Sequence, residues 1–216
     1  MAKAPATGSL FISGPQGILQ AILDVPESAL VNKVGIVCHP HPQHQGTMLN
    51  KVVHTLARAL NDLHIPVLRF NFRGVGKSAG DYANGEGEIE DVAAVAEYVN
   101  QRWPDADIWL GGFSFGAVIA ARAATQIGPQ QLVTIAPAIN ILGEKLAEQP
   151  KMPWLIVQGD ADEIVPADDV MAWVNKLQPG PELLLLPETG HFFHGHLVDL
   201  RQTLVASLNA HPGLMN

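Results

Sequence analysis

The sequence predicts an α/β protein: a doubly wound, mostly parallel sheet with an antiparallel N-terminal hairpin and no large cap domain. Three observations carry that expectation. Short apolar runs recur along the 216 residues. Segments with apolar residues at helical spacing separate them. Within the runs, apolar residues are consecutive rather than alternating, as in strands covered on both faces. Apolar residues make up 47% and charged residues 16% of the chain, enough for a sizeable core and too little charge for disorder.

Taken in order, Leu10-Phe11-Ile12 and residues 19–23 flank the turn residues Gly14-Pro15-Gln16-Gly17 and read as the opening hairpin. Residues 34–38 form the first buried strand, and Val52, Leu56, Ala59, Leu60 and Leu63 form the first helical stripe. Residues 67–72 are the next strand, followed by the stripe Ile89, Val92, Val95, Ala96 and Val99. Residues 108–111 lead into the small-residue helical run 117–121. The strands 132–135 and 154–157 follow. The stripe Val170, Trp173, Val174 and Leu177 precedes the strand 183–186, and Leu197, Leu200, Leu204 and Leu208 close the chain. No Pro/Gly/Ser-rich linker divides it, so a single domain over residues 1–216 is expected. Residues 137–152 have room for little more than one helix.

The bulk numbers exclude several classes. The formal net charge is -8 and the thirteen Lys and Arg are scattered, which argues against nucleic acid or an anionic membrane as partner. Cys38 is the single cysteine, so no internal disulfide forms and a reducing, cytoplasmic setting is expected. The first residues lack the apolar core of a signal peptide, and no apolar run is long enough to span a bilayer. Nothing in the sequence speaks to oligomeric state.

Gly112-Phe113-Ser114-Phe115-Gly116 lies between a strand and a helix and reads G-x-S-x-G. A serine on such a turn is held in a strained backbone with its hydroxyl lifted clear of the sheet, beside the free N–H groups of a helix start. In doubly wound sheets, ligands sit at the carboxyl ends of strands. After the strand 154–157 comes a loop carrying Asp160 and Asp162, and after 183–186 comes a loop carrying His191. A nucleophile, an acid and a base thus follow three strands. Serine needs a base to take its proton, histidine titrates near neutrality, and a carboxylate holds the imidazole in the right tautomer.

These residues resemble the α/β-hydrolase superfamily over nearly the whole chain. Gly112 to Gly116 resembles its nucleophile elbow. Residues 159–166 resemble its G-x-x-D-x-x-V-P acid loop, which implies Asp162 rather than Asp160 as the acid. Gly190-His191-Phe192 resembles its histidine loop, and residues 73–78 its R-G-x-G-x-S turn. Together with His39-Pro40-His41-Pro42 and Gly46-Thr47-Met48, the chain resembles a small, lidless bacterial branch of esterase-like serine hydrolases. The resemblance implies a Ser114–His191–Asp162 triad, an acyl-enzyme on small to medium acyl esters, and no cofactor. Asn71 departs from the wider family, where many relatives carry Asp, and a structural role is expected for it.

The oxyanion hole is expected to use the backbone N–H of Phe115, the residue after the nucleophile. The second donor belongs on the loop after residues 34–38. Pro40 and Pro42 have no N–H, so the amide of His41 is the choice, with Gln43 as fallback. Met48, Phe115, Ile139, Leu142, Phe192 and Phe193 are the expected apolar lining of the substrate pocket.

Rival readings exist. His39, His41 and His44, with His191, His194 and His196 as a partner set, suggest a metal-dependent hydrolase. That reading leaves Ser114 unexplained, and Gln43 stands where a carboxylate ligand is needed. Gly74-Val75-Gly76-Lys77-Ser78 hints at a phosphate loop, but Asn71 occupies its first glycine position and no helix pattern follows, so Lys77 reads as a surface charge. Cys38 reads as a small buried hydrophobe rather than a thiol nucleophile. A non-catalytic binding protein on the same fold is the third class, usually marked by loss of a triad member.

Overall fold

The computed structural model describes residues 7–29, 32–140, 146 and 148–210. Among them, eight strands form one sheet: β1 (Gly8–Gly14), β2 (Gly17–Asp24), β3 (Lys33–Cys38), β4 (Val67–Phe70), β5 (Asp107–Phe113), β6 (Gln131–Ile135), β7 (Trp154–Gly159) and β8 (Glu182–Leu186). Their order is β1-β2-β4-β3-β5-β6-β7-β8. The helices are α1 (Lys51–Asp62), α2 (Glu86–Arg102), α3 (Phe115–Ile127), α4 (Ala167–Val174) and α5 (Leu197–Ala210). This is the α/β-hydrolase fold, and no large cap is present among the described residues.

The N-terminal hairpin pairs antiparallel from Gly8 with Leu23 to Gly14 with Gly17, and β2 then runs antiparallel to β4. From β4 to β8 every pairing is parallel. Strands β3, β4, β5, β6 and β7 are buried almost throughout, because helices cover both faces. One core joins Ile36, Phe70 and Leu110 to Val92, Val118 and Val170 from α2, α3 and α4. The other joins Val37, Trp109 and Val157 to Leu56, Leu60, Leu200 and Leu204 from α1 and α5. All five residues of the α2 stripe are buried, as their spacing requires.

Two elements differ from their sequence pattern for visible reasons. Strand β4 stops at Phe70 although the apolar run continues, because Asn71 N–H turns to the Gln20 carbonyl and Phe72 N–H donates to Nε2 of His39. Strand β8 is the sheet edge, and Leu185 is exposed. Residues 73–78 form a turn rather than a phosphate loop: Ser78 Oγ donates to the Asn71 carbonyl, Lys77 is exposed, and α2 begins only at Glu86. Asn71 has the structural role expected of it. Its Oδ1 accepts from Met48 N–H at 2.9 Å and its Nδ2 donates to Gln20 at 3.0 Å. The chain reverses direction across the sheet between β3 and β5, and the ends of these two strands carry His39 and Ser114. Such a switch point leaves a crevice for a ligand.

Candidate active site

Ser114 stands between β5 and α3 with φ 54° and ψ -116°, a left-handed conformation that a non-glycine residue adopts only under constraint. The constraint is crowding. A Cβ on Gly112 would lie 2.2 Å from the Gly116 carbonyl oxygen, and one on Gly116 would lie 2.4 Å from that of His39. Ser114 N–H is tied to the Ile135 carbonyl at 2.9 Å, and its own carbonyl accepts from Ala117 and Val118. Its hydroxyl takes no part in capping the helix and is left for other work.

That hydroxyl lies 3.0 Å from Nε2 of His191. The imidazole's Nδ1 lies 2.8 Å from Oδ2 of Asp162. Each group comes from a different post-strand loop, and the ring is buried against Phe113 and Phe192. Asp162 is the better placed of the two acids, since Asp160 is exposed. Its Oδ1 accepts from the N–H of Ile164 at 2.9 Å and of Val165 at 2.7 Å. Its Oδ2 also accepts from Nε2 of Gln158 at 2.8 Å. Burial pushes the Asp162 carboxyl up, but His191 and the two backbone donors outweigh it and hold the group below the usual carboxylate range. An ionised carboxylate therefore faces Nδ1–H, and Nε2 is left to accept the serine proton.

Across the crevice, the loop after β3 continues into a short 3-10 turn, Pro42–His44. Among the described residues, no acceptor engages the backbone N–H of Phe115 or of His41. Gln43 is excluded as an oxyanion donor, because its N–H is spent on Nδ1 of His41 at 3.2 Å. His39 is fully buried, donates from Nδ1 to the Pro40 carbonyl at 2.7 Å and accepts at Nε2 from Phe72. Both its nitrogens are occupied, so His39, His41 and His44 are not a ligand set. His191 is likewise engaged at both nitrogens, and His196 pairs with Asp199. Among the described residues, no group of three or more His, Cys, Asp or Glu side chains is placed to hold a metal. Cys38 is fully buried, and burial pushes its thiol far above the range in which it ionises.

Comparison with known proteins identifies the family and the fold. A family described as "Serine aminopeptidase, S33" matches residues 36–144. An uncharacterized protein of Rickettsia prowazekii (strain Madrid E) is 39% identical over 175 residues, which are 78% of this chain and 72% of that protein. The chain belongs to the α/β-hydrolase superfamily. A structure from Coxiella burnetii, described as an alpha-beta serine hydrolase homologue, is 46% identical with a TM-score of 0.92 over 96% of this chain and all (100%) of that one. A serine hydrolase without lid from Xanthomonas campestris is 43% identical with a TM-score of 0.91, covering 96% of each chain.

The cleft of this hydrolase has a volume of about 360 Å³ at the serine and is lined by Ser114, His191 and both candidate oxyanion residues. Phe115 and Phe192 line it, and Ala138, Ile164 and Val165 complete the apolar side. His41, His44, Asn50 and Asn140 supply the polar side. Met48 does not line the cleft: it is buried beneath the loop, with its carbonyl accepting from Arg69 at 2.8 Å. Ile139 packs against the core while its neighbours Ala138 and Asn140 face the cleft. Phe193 is fully buried in the other core layer, because the turn after His191 sends consecutive side chains to opposite sides. Leu142 lies outside the described residues. Gln158 escapes a reading by sequence, since a polar residue ending a buried strand carries no motif; its place two residues before the acid's loop turn was the available signal.

Proposed function

We propose that this hydrolase is a carboxylic ester hydrolase in which Ser114 is the nucleophile, His191 the general base and Asp162 the orienting acid. The observation that carries the reading is the continuous hydrogen-bonded line from Asp162 through His191 to Ser114, at 2.8 and 3.0 Å. Ser114 Oγ attacks the ester carbonyl carbon as Nε2 of His191 takes its proton. The resulting oxyanion is held by the backbone N–H groups of Phe115 and His41, such donors being worth about 3 kcal/mol each. The C–O bond to the alcohol breaks, and the imidazolium returns the proton to that oxygen. Water then attacks the acyl-enzyme with His191 again as base, releasing the acid and restoring the serine. This chemistry needs no cofactor.

The cleft favours an uncharged substrate of small to medium acyl length. Among its described lining residues there is no carboxylate, lysine or arginine. A peptidase that grips a free amino terminus needs a carboxylate to pair with the ammonium, so an ester fits these walls better than an aminoacyl amide.

The test is labelling with a fluorophosphonate, followed by peptide mapping and a panel of p-nitrophenyl esters from acetate to octanoate. Ser114 should carry the label. Ser114→Ala should lose it and lose at least about 10⁴-fold in ester turnover while keeping its fold. An unlabelled wild-type protein, or a label elsewhere, would refute the assignment. Preference for aminoacyl p-nitroanilides would move the substrate class to amides.

A further inference from the structure

We propose that Tyr82 is a positioning residue for the oxyanion hole, acting through the side chain of His41; this rests on the reading of Ser114 as nucleophile. The amide of His41 sits between two prolines, so its direction depends on how that one residue is held. The imidazole is held at both nitrogens. Gln43 N–H donates to Nδ1 at 3.2 Å, which leaves the proton on Nε2. Nε2–H then donates to the hydroxyl oxygen of Tyr82 at 3.2 Å. The same ring packs against Phe115 at 4.8 Å between centroids, and Tyr82 lies 5.1 Å from it. Phe115 carries the other oxyanion donor, so one imidazole is in contact with both donor residues.

Tyr82 comes from the segment between β4 and α2, apart from the triad loops, and that segment is itself pinned. Glu88 is fully buried in the first turn of α2. Its carboxylate accepts from the N–H of Ala83 at 2.9 Å and of Gly85 at 2.8 Å, next to Tyr82 in the chain. The start of a helix favours an anion there. The oxyanion loop is thus braced from α2 through Tyr82 to His41. Tyr82 is not part of the cleft lining, so its hydroxyl acts on geometry and not on substrate contact.

Tyr82→Phe keeps the ring contacts and removes only the hydroxyl. The expected result is a fall of about tenfold in kcat for a p-nitrophenyl ester and in the rate of fluorophosphonate labelling, with KM within about twofold, since a small misplacement of a donor costs rate rather than binding. His41→Ala keeps the backbone N–H but ends the connection. In that background Tyr82→Phe should cost nothing further, because two residues acting in series are non-additive. A wild-type kcat in Tyr82→Phe, a change in KM alone, or an equal loss in both backgrounds overturns the proposal. Wild-type protein that is not labelled at Ser114 overturns the serine-hydrolase reading instead, and the proposal with it.

Discussion

His39 shows how one buried side chain can decide between chemistries. The sequence offers it as a metal ligand, yet it stitches the loop after β3 to the end of β4 through Pro40 and Phe72. Burial lowers its pKa from 6.5 to about 4, with the bond to the Pro40 carbonyl opposing. The unfolded chain therefore takes up a proton at higher pH than the folded one. Stability from this residue is complete above pH 6.5 and is lost as pH falls from there to about 4, below which no more is lost. At about 1.4 kcal/mol per pH unit the full effect is about 3 kcal/mol. Urea unfolding across this range should show a steeper acid loss in the wild type than in His39→Gln. Parallel slopes would contradict this role. Asp162 works in a lower window: its depressed pKa gives stability that is complete above the unfolded value of 3.8 and lost as pH falls below it.

The decisive element is the β5–α3 elbow. The strand delivers Ser114 to the rim, the turn forces its backbone to positive φ, and the helix begins one residue later. Gly116 allows that turn to press against the chain leaving β3, where a Cβ would meet the carbonyl oxygens of His39 and Cys38 at 2.4 and 2.5 Å. Since both contacts are backbone, no side chain can move aside. Gly116→Ala should cost at least about 3 kcal/mol in urea unfolding and abolish fluorophosphonate labelling. Gly128 ends the same helix at φ 63° with open space around it. Gly128→Ala should cost only about 1 kcal/mol, the strain of a left-handed alanine, and leave labelling intact.

At the scale of the whole molecule, two cores sandwich one sheet and the site sits where the chain switches direction. The turn after β4 is fastened to this frame by a buried ion pair. Arg73 donates from its N–H and its guanidinium to Asp91, whose side chain is fully buried. This pair locks the turn after β4 to α2, the helix that also braces Tyr82. Asp91→Ala leaves an arginine buried without its partner and should destabilise by about 3–5 kcal/mol in chemical unfolding. A smaller loss would mean that Glu90, 3.1 Å from the same guanidinium, takes over the charge.

The amino-acid sequence by itself determined what local pattern can encode. Runs buried on both faces, helical stripes and the turn around Ser114 were legible because periodicity and glycine spacing report burial and backbone conformation directly. The order Ser114, Asp162, His191 was legible for the same reason, each following a strand. Only the tertiary structure decided which distant groups meet. Ser114 and His191 are 77 positions apart, and Tyr82 and His41 are 41 apart. It also decided that Met48, Ile139 and Phe193 face the interior while Ala138, Ile164 and Val165 face the cleft. Hydrophobicity marks a residue for burial but not the neighbour it is buried against, and that choice is made by how the strands and helices pack.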